Sequence, residues 1–363
     1  MLYTGIPKFS FCDKMLMMKL SEGCIFLCGA ILLSMCLQHF FSVEEYMDEI
    51  FHVPQTRKYC NGEFDTYDEK ITTLPGFYLV GSAYAKVLSI FGIADMEFSC
   101  STNGLRLLNS HIAISFLMSL VWCRAIIIKE ETSYARVLWS LSIFLFPTIF
   151  FYYFLVYTDT LSITSLVIVY AISQQEVKAG GLQTSIPPLQ RIFTHLATFF
   201  GAILAIFSRQ TNAVWLLFII GTNALDLMLA NGSIKEDRTL GPRQLCTFIG
   251  ALLRNAPTIF AALWPLIIPV LMFVVFVYIN GGVVVGDKEN HAPVVHFAMP
   301  LHLVVATAFS MGPFGLFALS KDMLRHTRLY IGGGIWKALS FFGICTAVCA
   351  VTALVLYFGC LSH

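Results

Sequence analysis

Charge is what this sequence has least of. Asp, Glu, Lys and Arg make up 12% of its residues and balance to a net +1. No basic block or Gly-rich phosphate loop occurs, so neither nucleic acid nor a soluble nucleotide is an expected partner. No Cys-x-x-Cys or Cys/His spacing offers a metal cage, and no internal repeat or low-complexity tract is visible. What fills the chain instead is apolar: 57% hydrophobic residues, 14% aromatic, mean hydropathy +0.74. That composition belongs to an integral membrane protein and excludes a soluble domain. Its runs of ~20 apolar residues read as helices, because a helix satisfies its own backbone in lipid. Most of the eleven Cys lie in such runs as small apolar residues; Cys60 and Cys100 instead flank one hydrophilic loop, where an oxidising lumen would allow a bridge.

The expected architecture is all-α, with nine spans near 22–41, 105–127, 135–156, 160–173, 192–208, 212–230, 258–279, 297–319 and 335–358. Lys8, Lys14 and Lys19 precede the first run, which shows no small-residue cleavage site and reads as an uncleaved signal-anchor. A long polar loop, 42–103, follows. Its 72–92 segment is apolar but interrupted by Pro75, three Gly and Lys86. If that segment stays on one side as a juxtamembrane or re-entrant helix, sixteen Lys and Arg gather on one face and seven on the other. If it crosses, the excess is split, so the positive-inside rule favours the first arrangement. The 42–103 loop is then lumenal.

Four polar turns fall on that lumenal face. The first, Tyr46 to Arg57, holds Asp48, Glu49, His52 and Arg57 directly after the first apolar run and reads as a short helix. The others are Tyr157-Thr158-Asp159, Arg209-Gln210-Thr211-Asn212, and the loop from Gly281 to His291 with Asp287, Lys288 and Glu289. Ionisable groups at a membrane surface are functional candidates by default. Each also has a bland alternative. The first turn would serve as an interfacial helix, Asp159 or Asn212 as a helix cap, Arg209 as a snorkelling anchor, and the last loop as a solvated segment. Chemically, the carboxylates supply a general base and the cations stabilise an anionic leaving group such as phosphate. Paired carboxylates also suit hydrolysis, but a membrane-level site argues for a lipid substrate.

MDEIFHVPQTRKYCNGEFDTYDEKITTLPGFYL (47–79), LRLLN (105–109), YTDT (157–160), SRQTN (208–212) and GGVVVGDKENHAPVVHF (281–297) carry a resemblance. Together they resemble the dolichyl-phosphate-glucose-dependent alpha-1,2-glucosyltransferases of the asparagine-linked glycosylation pathway, over residue 22 to the end. The resemblance implies one membrane-embedded glycosyltransferase domain over 1–363, with dolichyl phosphate glucose as donor and diglucosylated lipid-linked high-mannose oligosaccharide as acceptor. It places the reaction on the lumenal face of the endoplasmic reticulum, with an acid of the first lumenal loop as base. Members of the family continue through further helices to a motif resembling ADNRHYTFY, and the expectation is that this chain lacks that portion.

The catalytic candidates are therefore Asp48, Glu49 and Asp159. His52, Arg57, Arg209, Gln210, Asn212, Asp287, Lys288 and His291 are candidates for substrate binding. No cofactor or metal is expected, since an esterified phosphate carries little charge and side-chain cations suffice. Two rivals stand beside this reading. A transporter would show inverted repeats and acids at mid-membrane depth, whereas here the acids gather at one face. A catalytically silent relative that only binds partners is the other.

Overall fold

The computed structural model describes residues 44–128, 130–178, 187–234, 242–286 and 288, with 298, 301–302 and 305 beyond. By contacts the chain divides into two units, Met1–His291 and Ala292–His363. Three expected spans, 22–41, 297–319 and 335–358, and the signal-anchor fall outside the described residues, or nearly so. Within the first unit all described regular structure is helical: α1 (Glu49–Cys60), α2 (Gly76–Ile90), α3 (Met96–Ser99), α4 (Thr102–Ile127), α5 (Ser133–Phe144), α6 (Pro147–Tyr152), α7 (Thr158–Lys178), α8 (Pro188–Ser208), α9 (Asn212–Ala230), α10 (Pro242–Arg254) and α11 (Ala256–Asn280).

Four of these, α4, α8, α9 and α11, are long and apolar enough to cross a membrane. Their outer faces carry the exposed apolar side chains that lipid would cover, such as Phe193 and Phe200 on α8, Val214 and Leu217 on α9, and Met272 and Val275 on α11. The expected span 160–173 falls within α7, a helix of 21 residues that is not among these four. It packs against α4, α8 and α9. Its hydroxyls are buried and bonded back along the helix, Thr164 to the Thr160 carbonyl at 2.6 Å and Ser165 to that of Leu161 at 2.6 Å. A helix packed among helices can be polar without meeting lipid.

The expected single span 135–156 is corrected: it is two helices, α5 and α6, followed by a turn. Pro147 is the cause. It cannot continue a helix, and it drives Phe146 into the extended region, φ −62° and ψ 123°. The turn after α6 is held by Asn109, fully buried on α4, whose amide donates to Tyr152 O at 2.9 Å and to Leu155 O.

One end of this unit collects the ends of many elements. The starts of α4 and α7, the α8–α9 turn and the stretch after α11 are all fastened to the polar segment 44–75. Gly76 opens α2 directly against the Phe207–Ser208 backbone, where an added Cβ would lie 2.6 Å from Phe207 C. Cys60 and Cys100 are disulfide-bonded, with Cα atoms 6.6 Å apart, and tie the end of α1 to the entry of α4.

Candidate active site

The chain enters α1 through a turn that local preference would not choose. Met47 has φ +54°, left-handed for a residue with a side chain, a conformation costing on the order of 1–3 kcal/mol unless its surroundings enforce it. The enforcement is Glu49, which is fully buried. Its carboxylate accepts two hydrogen bonds from Arg106 of α4 (Nε 2.9 Å, Nη2 2.6 Å), one from Val156 N (2.7 Å) and one from Tyr46 N (2.9 Å). Asp48 sits between the strained residue and the clamped one. Its own N–H donates to the Tyr157 hydroxyl at 3.0 Å. The Asp48 side chain is exposed and does not cap α1. Among the described residues its carboxylate accepts no hydrogen bond and joins no ion pair.

One turn along α1, His52 is buried against two tyrosines. Nδ1 shares a 2.7 Å hydrogen bond with the Tyr78 hydroxyl, and the ring meets Tyr157 edge-on with centroids 5.6 Å apart. Its pKa lies below the ordinary 6.5. Burial is the main cause; the Asp48 charge pulls it up, Arg209 pushes it down, and Asp159 and Glu49 pull it up more weakly. The fields of the first loop and of the α7 and α8–α9 turns thus converge on one imidazole.

Arg209 is the third part. Nη2 meets Asp159 Oδ2 at 2.6 Å and Nε donates to Thr158 Oγ1 at 3.3 Å. The pair is partly open to solvent, with side chains 41% and 34% exposed. Asp159 lies in the first turn of α7 and not at its cap, where the helix terminus favours an anion. Since Tyr157 accepts from the Asp48 backbone, three consecutive residues join the carboxylate turn to the guanidinium. Below them opens a cavity of about 570 Å³, within the range of ligand sites. Asp159, Arg209 and Asn212 lie at one end. Leu166, Tyr170 and Phe218 line the rest, so the wall along α7 reaches roughly 16 Å from Asp159 to Tyr170.

The remaining predicted residues go elsewhere. Arg57 lies 3.8 Å from Glu45 and bonds Cys100 O and Thr102 Oγ1, securing the entry to α4. Gln210 donates to Thr72 O at 2.7 Å, and Asn212 to Ser162 Oγ (2.8 Å) and Ala205 O (2.7 Å), so both fix the turn that presents Arg209. Lys288 donates to Asn280 O at 2.6 Å and neutralises the end of α11. Asp287 and His291 lie outside the described residues. Gly286 is small because backbone passes it: an added Cβ would lie 2.3 Å from the carbonyls of Glu69 and Ile71. Arg106, Tyr78 and Tyr157 were not predicted as site residues. The signal for Arg106 was present, a cation five residues into a helix long and apolar enough to cross a membrane. Among the described residues, no three His, Cys, Asp or Glu side chains gather as a metal site.

Among the described residues, a helical membrane protein thus brings together a carboxylate without a partner, a buried imidazole and a half-open guanidinium that borders an apolar cavity. The comparisons narrow the class: the DIE2/ALG10 family model matches residues 42–363, and the chain belongs to that family. It is similar to the human protein named Dol-P-Glc:Glc(2)Man(9)GlcNAc(2)-PP-Dol alpha-1,2-glucosyltransferase, 32% identical over 326 residues, covering 84% of this chain and 63% of the human one. The rat protein of that name is 32% identical, with 84% and 64% covered. The Arabidopsis thaliana protein of that name is 30% identical over 371 residues, with 85% and 67% covered. The chain thus spans less than two thirds of the length of the human and rat relatives.

Proposed function

We propose that this chain transfers the terminal alpha-1,2-linked glucose from dolichyl phosphate glucose to the diglucosylated lipid-linked high-mannose oligosaccharide, with inversion, on the lumenal side of the endoplasmic reticulum membrane. The relatives' printed name supplies the donor, the acceptor and the linkage. The observation that carries the reading onto these residues is the Asp48 carboxylate, without a partner among the described residues, linked through Tyr157-Thr158-Asp159 to Arg209 at the mouth of the apolar cavity.

In this mechanism Asp48 takes the proton of the acceptor hydroxyl as its oxygen attacks the anomeric carbon. The bond from that carbon to the phosphate oxygen breaks on the opposite face, and dolichyl phosphate leaves with the electron pair. Arg209 donates to the departing phosphate, a charge-assisted contact that strengthens as negative charge develops. The cavity takes the first isoprene units of the donor. His52, neutral near pH 7, borders the acceptor side. Lys288, bonded to Asn280, is not assigned to the phosphate, and Glu49 does not serve as a base. The nine-span lumenal topology is part of the proposal; it is supported by the distribution of Lys and Arg and by a disulfide that an oxidising compartment would sustain.

The test is transfer of labelled glucose from dolichyl phosphate glucose to the lipid-linked acceptor by the purified chain. Product sensitive to an alpha-1,2-specific glucosidase supports the reading. A folded chain that gives none, while an extended family member assayed beside it does, refutes it for this chain.

A further inference from the structure

We infer that the Glu49–Arg106 pair and the Tyr157 hydroxyl form a positioning clamp that sets where the Asp48 carboxylate points; this rests on the reading of Asp48 as the base. Stability alone is a poor account of the pair. A buried ion pair is often no more stable than apolar residues of the same volume. Its geometry says more. Glu49 ties three separate elements through its four acceptor contacts: the 46–48 turn through Tyr46 N, α4 through Arg106, and the stretch after α6 through Val156 N. Arg106 Nη2 also donates to Glu44 O at 2.9 Å, holding the segment that leads into the turn.

The chain is therefore held on both sides of Asp48 and at its own N–H, while its side chain is bound to nothing among the described residues. Met47 is left-handed on one side, Glu49 is clamped on the other, and the Asp48 N–H is held by Tyr157. Without the clamp Met47 has no reason to stay left-handed, and a return to ordinary φ would swing the next side chain away. A displacement of ~1 Å at a reacting group costs roughly 10²-fold in rate. Neither Glu49 nor Arg106 reaches solvent, so both act through Asp48 and not on the substrate. Tyr157 Oη accepts from Asp48 N–H and so fixes the backbone at Asp48 itself.

The test compares Glu49→Gln, Arg106→Lys and Tyr157→Phe in the full chain with wild type. Two readouts are taken: glucose transfer from dolichyl phosphate glucose, and amide hydrogen exchange. The clamp predicts a kcat drop of ~10–100-fold with the donor KM unchanged, and an unshifted thermal midpoint for Tyr157→Phe. In Arg106→Lys the amides of Tyr46 and Val156 should lose protection while those within α4 keep it. Unchanged kcat in folded Arg106→Lys and Tyr157→Phe would overturn the clamp, as would full protection of both amides in Arg106→Lys. A general loss of protection across α4 would make the pair merely structural. The exchange readout stands without turnover, so an inert wild-type chain counts only against the transfer reading.

Discussion

Two ion pairs of the same 2.6 Å length lie at one end of this molecule, and they do opposite things. Glu49–Arg106 is closed off, with side chains 0% and 4% exposed and every carboxylate contact matched. Asp159–Arg209 is 34% and 41% exposed and lines the cavity. The first is buried on both sides and cannot open without leaving a charge stranded in the core. The second joins two helix ends, and a phosphate oxygen could replace its carboxylate with little loss, since an exposed pair contributes only ~0–1 kcal/mol. Distance does not separate framework from site here; exposure and the number of matched contacts do.

That comparison makes its sharpest claim about stability. Glu49→Ala should cost about 3–5 kcal/mol, the usual penalty for a stranded buried partner, read as a fall in thermal midpoint. Arg209→Ala should cost under ~1 kcal/mol. The reverse order would break the distinction. Reduction of Cys60–Cys100 should cost about 2–4 kcal/mol, since the bond anchors α1 at the end opposite Glu49; an unmoved midpoint under reductant would show that Glu49 holds α1 alone. On donor recognition the two pairs should trade places: Arg209→Ala should raise the donor KM and lower kcat/KM by ~10–100-fold, the scale of one lost charge-assisted contact, while variants of the closed pair leave the donor KM unchanged. Unchanged kinetics would return Arg209 to a snorkelling anchor.

The smallest effect is the pH dependence of the imidazole between the pairs. His52 has a folded pKa below 6.5, so as pH falls below that value the unfolded chain takes up the proton first and the folded state loses stability. His52→Gln should remove that slope, with stability above pH 7 little altered by titration. A slope that survives would place the titrating group elsewhere. The topology behind the comparison has its own check: Asn231-Gly-Ser233, placed on the cytosolic side, should stay unglycosylated, and a glycosidase-sensitive mobility shift would overturn the arrangement.

Much of the open pair was visible in the sequence, because Tyr157-Thr158-Asp159 and Arg209-Gln210-Thr211-Asn212 are polar turns between apolar runs. The closed pair was not. Arg106 meets Glu49 across 57 residues, and no local pattern announces such a partner. Asp48 and Glu49, neighbours with like chemistry, looked like one functional unit, yet adjacent residues at a helix start point apart, one outward and one into the core. The cut in 135–156 was readable at Pro147, but the apolar run around it masked the signal. Asp226 accepts from Gln174 at 3.0 Å across α7 and α9, another pairing that appears only once the helices have packed.

The central claim is that the exposed carboxylate beside the closed pair, and not a member of either pair, removes the acceptor proton. Its most direct test is labelled-glucose transfer by Asp48→Asn, with Asp159→Asn and Glu49→Gln beside it, at equal donor binding. A positioned base contributes ~10²–10⁴-fold, so Asp48→Asn should lose at least that lower factor while expression and donor binding persist. Near-normal turnover by Asp48→Asn, with transfer lost in Asp159→Asn, would contradict the account.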